Sequence, residues 1–565
     1  MAKRPQITGR MTIPEAFRAV AAWRGARLAL VTPQQRITYL ELDLRVSAVA
    51  AHLRGLGLSK GDRLVTLLWS QVEFVYLFLA AAELGLVIVP LPPRLRRSKL
   101  EAYLREIQPA LVVASSEIEI PEGMECLQEM QRESATFRHI IITGSRAPEE
   151  QAMDGWLTAP APGVEIRPAT NAEDLLAVLY TSGTTGEPKG IMHNHRGLIG
   201  PVAASIRLRE MWIDFLPTFR KVGRWLKVLV RYGLRLVNAA GKQQVFLSAM
   251  GMHLISGLEA MLQALLMGDV LVLVPRFHPA RYLEAIDRER VTVLIGMPLA
   301  YRAMLSVKEF DRFRFSSLII CGVGSAPCPP ELAREIRSRF RCAVHIGFGM
   351  TELGGGIAAT DLEDSEVQQE ETVGRPMPGI EVRIVDDQRN PLSADSVGEL
   401  ACRSETVMMG FFRDERDREA VVDGEGWFYT GDLAVMDEKG YVRIVGRKKD
   451  LIIRGGQNIY PARIENELEA MEGVREAAVV GLPDPLTGES VCAFVIPEAG
   501  AQLDEGKVQD FCRARLEIYE VPRQIFIMDD LPRGPTGEPR KLELLNIALK
   551  EGKPSGGSSA QPGLF

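Results

Sequence analysis

The chain has 565 residues, 46% of them hydrophobic and 25% charged, which suggests roughly three or four folding units and excludes a mainly disordered, fibrous or membrane-spanning protein. Its 67 basic and 73 acidic side chains leave a net charge of −6, so a bulk electrostatic grip on nucleic acid is excluded as well. The seven cysteines are scattered and contain no CxxC pair, the usage of reduced buried thiols in a cytoplasmic protein and not of a disulfide frame or zinc site.

Arg18, Arg24 and Arg27 interrupt the first apolar stretch, so no targeting segment is expected there. Phe74 to Pro90 is the most apolar stretch that follows, but it contains Glu83 and is too short to span a bilayer. It is predicted to be a buried helix followed by a strand over Leu86–Leu91. Through about residue 440, helical patterns alternate with short β-branched runs (Arg63–Leu68, Ala110–Ala114, Ile140–Thr143, Val270–Pro275, Val291–Ile295 and Leu318–Cys321). That alternation predicts an α/β domain with largely parallel sheets. From about Val373 short strands separated by turn residues take over, at Gly379–Asp387, Gly398–Cys402 and Gly440–Val445. A last block over 447–548 carries its own strand–helix pattern, with strands at Ala477–Leu482 and Val491–Pro497. Residues 549–565, rich in Gly, Ser and Pro, are expected to form a disordered tail.

The run Tyr180-Thr-Ser-Gly-Thr-Thr-Gly-Glu-Pro-Lys-Gly190 carries the most chemistry. A strand over Leu175–Tyr180 leads into it. Its glycines let backbone N–H groups approach an anion closely, its hydroxyls add donors, and Lys189 supplies a point charge. The Walker spacing GxxxxGK[ST] is absent, so this is a phosphate loop of another kind.

The run resembles that of the acyl-adenylating (ANL) superfamily, which includes acyl-CoA and aryl-CoA ligases, stand-alone adenylation domains and beetle luciferase. The resemblance covers about residues 12–548. It extends to Gly322-Val-Gly-Ser-Ala-Pro327, Gly347-Phe-Gly-Met-Thr-Glu352, Tyr429-Thr-Gly-Asp432, and Gly446-Arg-Lys-Lys-Asp450 running into Gly455-Gly-Gln-Asn-Ile-Tyr-Pro461. It implies a large N-terminal domain (1–446) of α/β subdomains with a β-barrel-like part, and a small mobile α+β C-terminal domain (447–548). It also implies a reaction in two halves. A carboxylate and ATP give acyl-AMP and pyrophosphate; the small domain then rotates, and a thiol, usually that of CoA, attacks the adenylate.

By the same resemblance, Thr181, Ser182, Gly183, Thr184, Thr185 and Lys189 hold phosphates, and Gly324, Ser325, Ala326 and Pro327 pass close to adenine as backbone. Phe348, among Gly347, Gly349 and Met350, offers adenine a flat face where the family usually has Tyr. Thr351 donates to the α-phosphate, Glu352 is the magnesium carboxylate, and Asp432 accepts from the ribose hydroxyls. Arg447 faces ribose and phosphate, and Lys449 falls on the pivot position. Gly455 and Gly456 leave room for the pantetheine arm of CoA. His253, in Gly251-Met-His-Leu-Ile-Ser-Gly257, takes the place of the histidine bordering the acyl pocket and thiol tunnel. His193 and His195 are expected to pack and hydrogen-bond at a strand end, with no chemical role.

Two departures stand out. The family's closing segment ends in a lysine that bridges substrate carboxylate and α-phosphate, whereas Leu531-Pro-Arg-Gly-Pro-Thr-Gly-Glu538 ends in a carboxylate. Losing one such donor costs about 3–4 kcal/mol in the step it serves, and an anion adds repulsion. In this missing lysine the chain is similar to the non-adenylating acyl-CoA ligases of platensimycin- and platencin-type diterpenoid biosynthesis. Arg540 and Lys541 are candidates to fill the vacant place. The second departure is the long gap between Lys189 and His253, filled around Arg207–Asn238 by Arg220, Arg224, Lys227, Arg231 and Arg235 at helical spacing. A solvated face, a lid over a bulky acyl group, a membrane-surface contact and a partner site are all compatible with it.

The expectation is a cytoplasmic enzyme that makes an acyl-CoA from CoA and the adenylate of a bulky hydrophobic acid. Adenylation is lost or weak, a separate adenylating enzyme is a possible supplier, and Mg2+ has little use. The alternatives are a complete ATP-dependent acid:CoA ligase and a non-catalytic adenylate-binding protein. A carrier-protein thiol is the alternative acceptor.

Overall fold

The β-branched runs of the first part of the chain form strands without polar alternation, as parallel sheets covered on both faces require. Every residue of Val87–Pro90, Leu111–Ser115 and Val270–Val272 is buried. The computed structural model describes residues 4–144, 153–157, 170–181, 189–213, 230–231, 242–413, 421–534 and 537–551. The chain divides into two compact units. The first is Met1–Val382 with Ala401–Tyr429 and Glu438–Val442; the second is Arg383–Leu400, Thr430–Asp437 and Arg443–Phe565.

In the first unit a seven-stranded sheet runs Gly410–Phe411, Lys189–Asn194, Leu175–Thr181, Val87–Pro90, Arg63–Leu67, Leu111–Ser115, His139–Thr143. Its first two pairs are antiparallel and the rest parallel. A nine-stranded sheet runs Arg375–Pro376, Gly355–Ala359, Ala343–Met350, Ile320–Val323, Val293–Gly296, Val245–Ser248, Val270–Val272, Leu28–Val31, Arg36–Thr38. It is parallel through its middle and antiparallel at both edges.

Helices Ile13–Arg24, Tyr39–Gly55, Val72–Leu84 and Ile255–Leu266 share one core with strands of both sheets, around Phe17, Tyr76, Phe78 and Met261. The first of them starts at a capping box, Thr12 with Glu15, which satisfies two otherwise orphaned N–H groups. The apolar stretch after residue 71 is the expected helix and strand, Val72–Leu84 and Val87–Pro90, separated by Gly85 in the left-handed region. Its Glu83 is buried against Arg18. Among the described residues no helix is long and apolar enough to cross a membrane.

The second unit holds a five-stranded sheet in which Gly488–Pro497 pairs with Val474–Asp484, Ile452–Arg454 and, in parallel, Gln524–Ile527. Helices Pro461–Glu469 and Glu505–Arg515 contribute Ile464, Leu468, Val508 and Cys512 to one of its cores. Helix Lys541–Glu551 contributes Leu544 and Ala548 to another. That burial carries helical structure to Glu551, three residues into the segment expected to be a tail; the rest of that segment lies outside the described residues. Most of the basic insertion lies outside them too. Of its five helically spaced cations only Arg231 is described, 3.3 Å from Glu366.

Candidate active site

The parallel strands of the nine-stranded sheet bring three predicted segments to one C-terminal edge, where α/β sheets bind ligands. Ala343–Met350 ends in Gly347, Phe348, Gly349 and Met350; its neighbour Ile320–Val323 runs into Gly324–Pro327; and Val245–Ser248 leads to the His253 turn. Gly324 donates its amide to Gly296 O at 3.3 Å, and a Cβ there would lie 3.2 Å from Gly347 O. Ser325 follows with φ +66, so the chain turns sharply off the strand end. Phe348 sits opposite Ala358 in the antiparallel pair and is half-buried.

Thr351 and Glu352 occupy a single 3-10 turn, Thr351–Leu353, between this strand and Gly355–Ala359. The turn is pinned on three sides. His193 lies 2.6 Å from Thr351 O through its Nε2, Met408 donates its amide to Glu352 O at 2.8 Å, and Gly354 packs so tightly that a Cβ would fall 2.1 Å from Gly197 O. A carbonyl can only accept, so His193 carries its proton on Nε2. Burial pushes this imidazole down to about 4, which keeps it neutral and donating near pH 7. His193 therefore holds the backbone of an expected phosphate-binding residue, a role the sequence reading did not assign. The only local signal is a histidine at a buried position of the Lys189–Asn194 strand.

The phosphate loop is framed by a ladder in which Thr181 pairs with Lys189 and Tyr180 with Gly190. Gly190 is required there, since a Cβ would lie 2.8 Å from Val178 and 3.0 Å from Phe412. The Lys189 ammonium rests 4.9 Å from the centre of the Phe411 ring, a cation–π distance. Ser182, Gly183, Thr184 and Thr185 lie outside the described residues.

Glycines shape the His253 turn. A Cβ at Gly251 would come within 2.4 Å of the His253 ring, and one at Gly257 within 2.2 Å of Gly251 O. The His253 side chain is partly accessible, yet burial alone pushes its imidazole down to about 4. It is a neutral acceptor or donor at physiological pH, not a cation.

In the second unit Asp432 is buried, with Arg447 Nε 3.1 Å from its Oδ1. Burial raises its carboxyl and Arg447 opposes that rise. A buried acceptor carboxylate steadied by one guanidinium suits a diol such as ribose. Lys448 is held by Glu399 and Asp387, each at 3.0 Å. Lys449, the pivot candidate, has its ammonium lowered by burial, with Asp450 opposing and Arg447 adding to the effect. Gly455 (φ +58) and Gly456 (φ +82) form the two-residue turn between Ile452–Arg454 and Gln457–Ile459. Such a hairpin turn demands positive φ at both positions, so the glycines have a conformational reason to be there beside any role toward CoA.

Glu538 closes a tight loop. Gly534 donates to Glu538 O at 2.8 Å and Gly537 (φ +82) donates to Gly534 O at 3.0 Å. Arg533 clamps the loop by bonding both oxygens of Glu476, at 3.0 and 2.7 Å, and Gly537 O at 3.0 Å. The Glu538 carboxylate folds over Gly534, where an added Cβ would lie 2.0 Å from Oε1.

Among the described residues no cluster of three His, Cys, Asp or Glu side chains that could hold a metal ion occurs, and Glu352 stands on the Thr351–Leu353 turn.

Residues 17–412 match the AMP-binding enzyme family and residues 463–538 the AMP-binding enzyme C-terminal domain. The chain is similar to the human mitochondrial medium-chain acyl-CoA ligase ACSF2, 28% identical over 563 residues, covering 94% of this chain and 87% of that one. It is 29% identical to a methyl-dioxo-octahydroindenyl-propanoyl:CoA ligase of Rhodococcus jostii over 556 residues, covering 96% and 99%. Its fold matches ATP-bound MatB from Rhodopseudomonas palustris with a TM-score of 0.80 at 27% identity, covering 95% and 99% of the two chains. The chain therefore belongs to the AMP-binding enzyme family, the family of the ATP-dependent, AMP-forming acid:CoA ligases of the acyl-CoA synthetase type.

Proposed function

We propose that the protein joins a hydrophobic carboxylic acid to CoA through an acyl-adenylate, and that adenylation is its slow half-reaction. The observation that carries this reading is Glu538 at the place of the bridging lysine, with the cations that follow it engaged elsewhere. Lys541 pairs with Glu465 at 2.8 Å and Arg540 with Glu543 at 2.5 Å. A carboxylate at that place repels both the acid and the α-phosphate, whereas the thioester step needs no cation from this loop.

The other roles follow the local chemistry. Thr181, Lys189 and the intervening loop receive phosphate, the Phe348 ring and the Gly324–Pro327 backbone receive adenine, and Asp432 receives ribose. The Thr351 hydroxyl and Glu352 carboxylate face the α-phosphate and magnesium. His253 borders the acyl group, Lys449 is the pivot between the two half-reactions, and Gly455–Gly456 pass the CoA arm. A hydrophobic acid is supported by the apolar segment around Phe246–Leu258 and by the acids that the ACSF2 and Rhodococcus jostii relatives are named for.

Glu538 also favours a second reading, in which adenylation is lost outright and the adenylate comes from a separate enzyme. One assay with two arms separates the readings: decanoate with ATP, Mg2+ and CoA, and synthetic decanoyl-adenylate with CoA. Slow turnover in the first arm and fast turnover in the second supports the slow-half reading. A first arm with no turnover beside a fast second supports the outright loss. No turnover in either arm, across a broad panel of hydrophobic acids, sinks both and leaves an adenylate-binding protein.

A further inference from the structure

The helix Ile255–Leu266 directly follows the His253 turn and carries a carboxyl for which the roles above have no use. Glu259 reaches from this helix to the Gly355–Ala359 strand, where its Oε2 accepts the Gly356 amide at 3.1 Å. Its Oε1 accepts from Gln263 Nε2 at 3.0 Å, and the same nitrogen donates to Ser205 Oγ at 3.1 Å. Gly355 (φ +138) is fitted to the carboxylate, since a Cβ would lie 2.5 Å from Oε2. The strand so held pairs Gly356 with Gly349 and Gly355 with Met350, and so closes the hairpin whose tip is Thr351–Leu353.

We propose that Glu259 is a positioning residue of the ligase reaction, holding through the Gly355–Gly356 backbone the hairpin that presents Phe348, Thr351 and Glu352. The proposal rests on the nucleotide and magnesium roles given above to those three residues. If packing the helix on the strand were the only need, an apolar side chain would meet it without the cost of desolvating a half-buried carboxyl that no cation pairs with among the described residues. Among the described residues the groups bonded to Glu259 are neutral: Gln263 on its own helix, itself bonded to Ser205 on the His195–Ile213 helix, and the backbone of Gly356. Burial accordingly pushes its carboxyl up to about 7, and among the described residues no charged neighbour contributes. The clamp thus gains its full acceptor strength only as pH rises through neutrality.

The linkage has a definite sign. The native state keeps this proton above pH 4.5 while the unfolded chain loses it, so Glu259 costs stability progressively between pH 4.5 and about 7. Three variants test the proposal in the full-length protein, read by hydrogen exchange at Gly356 and by kinetics with decanoyl-adenylate and CoA. Glu259→Ala should speed Gly356 exchange by about tenfold or more and lower kcat about tenfold, with KM for CoA changed less than about threefold. Glu259→Gln keeps an acceptor without a titratable proton. It should retain protection and most of kcat and flatten the profile between pH 6 and 8. Gly355→Ala, which drives a methyl into the carboxylate, should reproduce the Glu259→Ala defect. Wild-type Gly356 exchange and wild-type kcat in Glu259→Ala would overturn the proposal, as would a lost kcat with unchanged Gly356 exchange. A wild-type protein inert with both substrates would instead sink the ligase reading, and the exchange measurement would still decide the clamp.

Discussion

Lys541 is held with its Nζ 2.8 Å from Glu465 Oε1, an oxygen that also accepts the Val479 amide at 2.8 Å. The pair holds the cation at the helix–sheet junction of the second unit, so under the proposed function Lys541 does not stand in for the bridging lysine. Lys541→Ala should leave acid-dependent pyrophosphate release within about twofold and cost less than about 1 kcal/mol of stability, as part-exposed ion pairs do. A tenfold fall in release would identify Lys541 as the substitute cation.

The bond from His193 to Thr351 O makes a second prediction. His193→Ala removes a buried donor and leaves Thr351 O with the Gly354 amide alone, at 3.0 Å, at a cost of about 0.5–1.5 kcal/mol. Adenylate binding should weaken with it, because the Thr351–Leu353 turn loses one of its three restraints. Calorimetric binding of a non-hydrolysable acyl-adenylate checks this; unchanged affinity in a folded variant would mean that Met408 and Gly354 hold the turn unaided.

Acid should destabilise the protein. His193, His195, His253 and His345 are all pushed down to about 4, with burial as the leading cause. Their folded values lie below their unfolded value of 6.5, so their neutral burial stabilises above pH 6.5 and is lost as pH falls toward 4. Glu259 acts in the opposite direction over part of this window, as do Asp43, Glu83, Asp269 and Asp432, whose carboxyls burial also raises, but the four imidazoles, each lowered from 6.5 to about 4, set the sign. The melting temperature should therefore fall steadily from pH 7 to pH 5. A flat profile would contradict the buried neutral state of these imidazoles.

Gly456 separates a conformational role from a steric one. Gly456→Ala bears the cost of positive φ, about 1 kcal/mol, and meets no atom within 4 Å. Gly456→Trp adds bulk at the same φ. If the CoA arm passes there, the Trp variant should lose thioester formation at least about tenfold beyond the Ala variant, with adenylate affinity unchanged. Equal rates for the two variants would assign the glycines to the hairpin turn alone.

The parallel strands were legible because continuous Val, Ile and Leu runs have few other uses in a soluble chain. Their ends shifted where glycine stands inside a ladder. Leu318–Cys321 was the expected span, and the strand is Ile320–Val323 because pairing with Ala343–Met350 carries Gly322 into the sheet. The segments assigned to the nucleotide stand out as strings of several residues, which local order alone preserves. The bond between His193 and Thr351 spans 158 positions, and that between Glu259 and Gly356 spans 97, so neither leaves a local pattern. On a helix wheel Glu259 reads as a solvated position; only the fold brings the Gly355–Gly356 strand against it. Gly455 and Gly456 illustrate the reverse case, a motif legible as ligand space whose backbone angles already demand glycine.

The most direct test is the rate of decanoyl-CoA formation from decanoate and ATP against that from decanoyl-adenylate, in wild type and in Glu538→Lys. The wild-type acid route should be at least about a hundredfold slower than the adenylate route. Glu538→Lys should raise the acid route by about that factor and leave the adenylate route within a few-fold. Equal wild-type rates by the two routes, or a Glu538→Lys variant no faster from the free acid, would contradict slow adenylation as proposed.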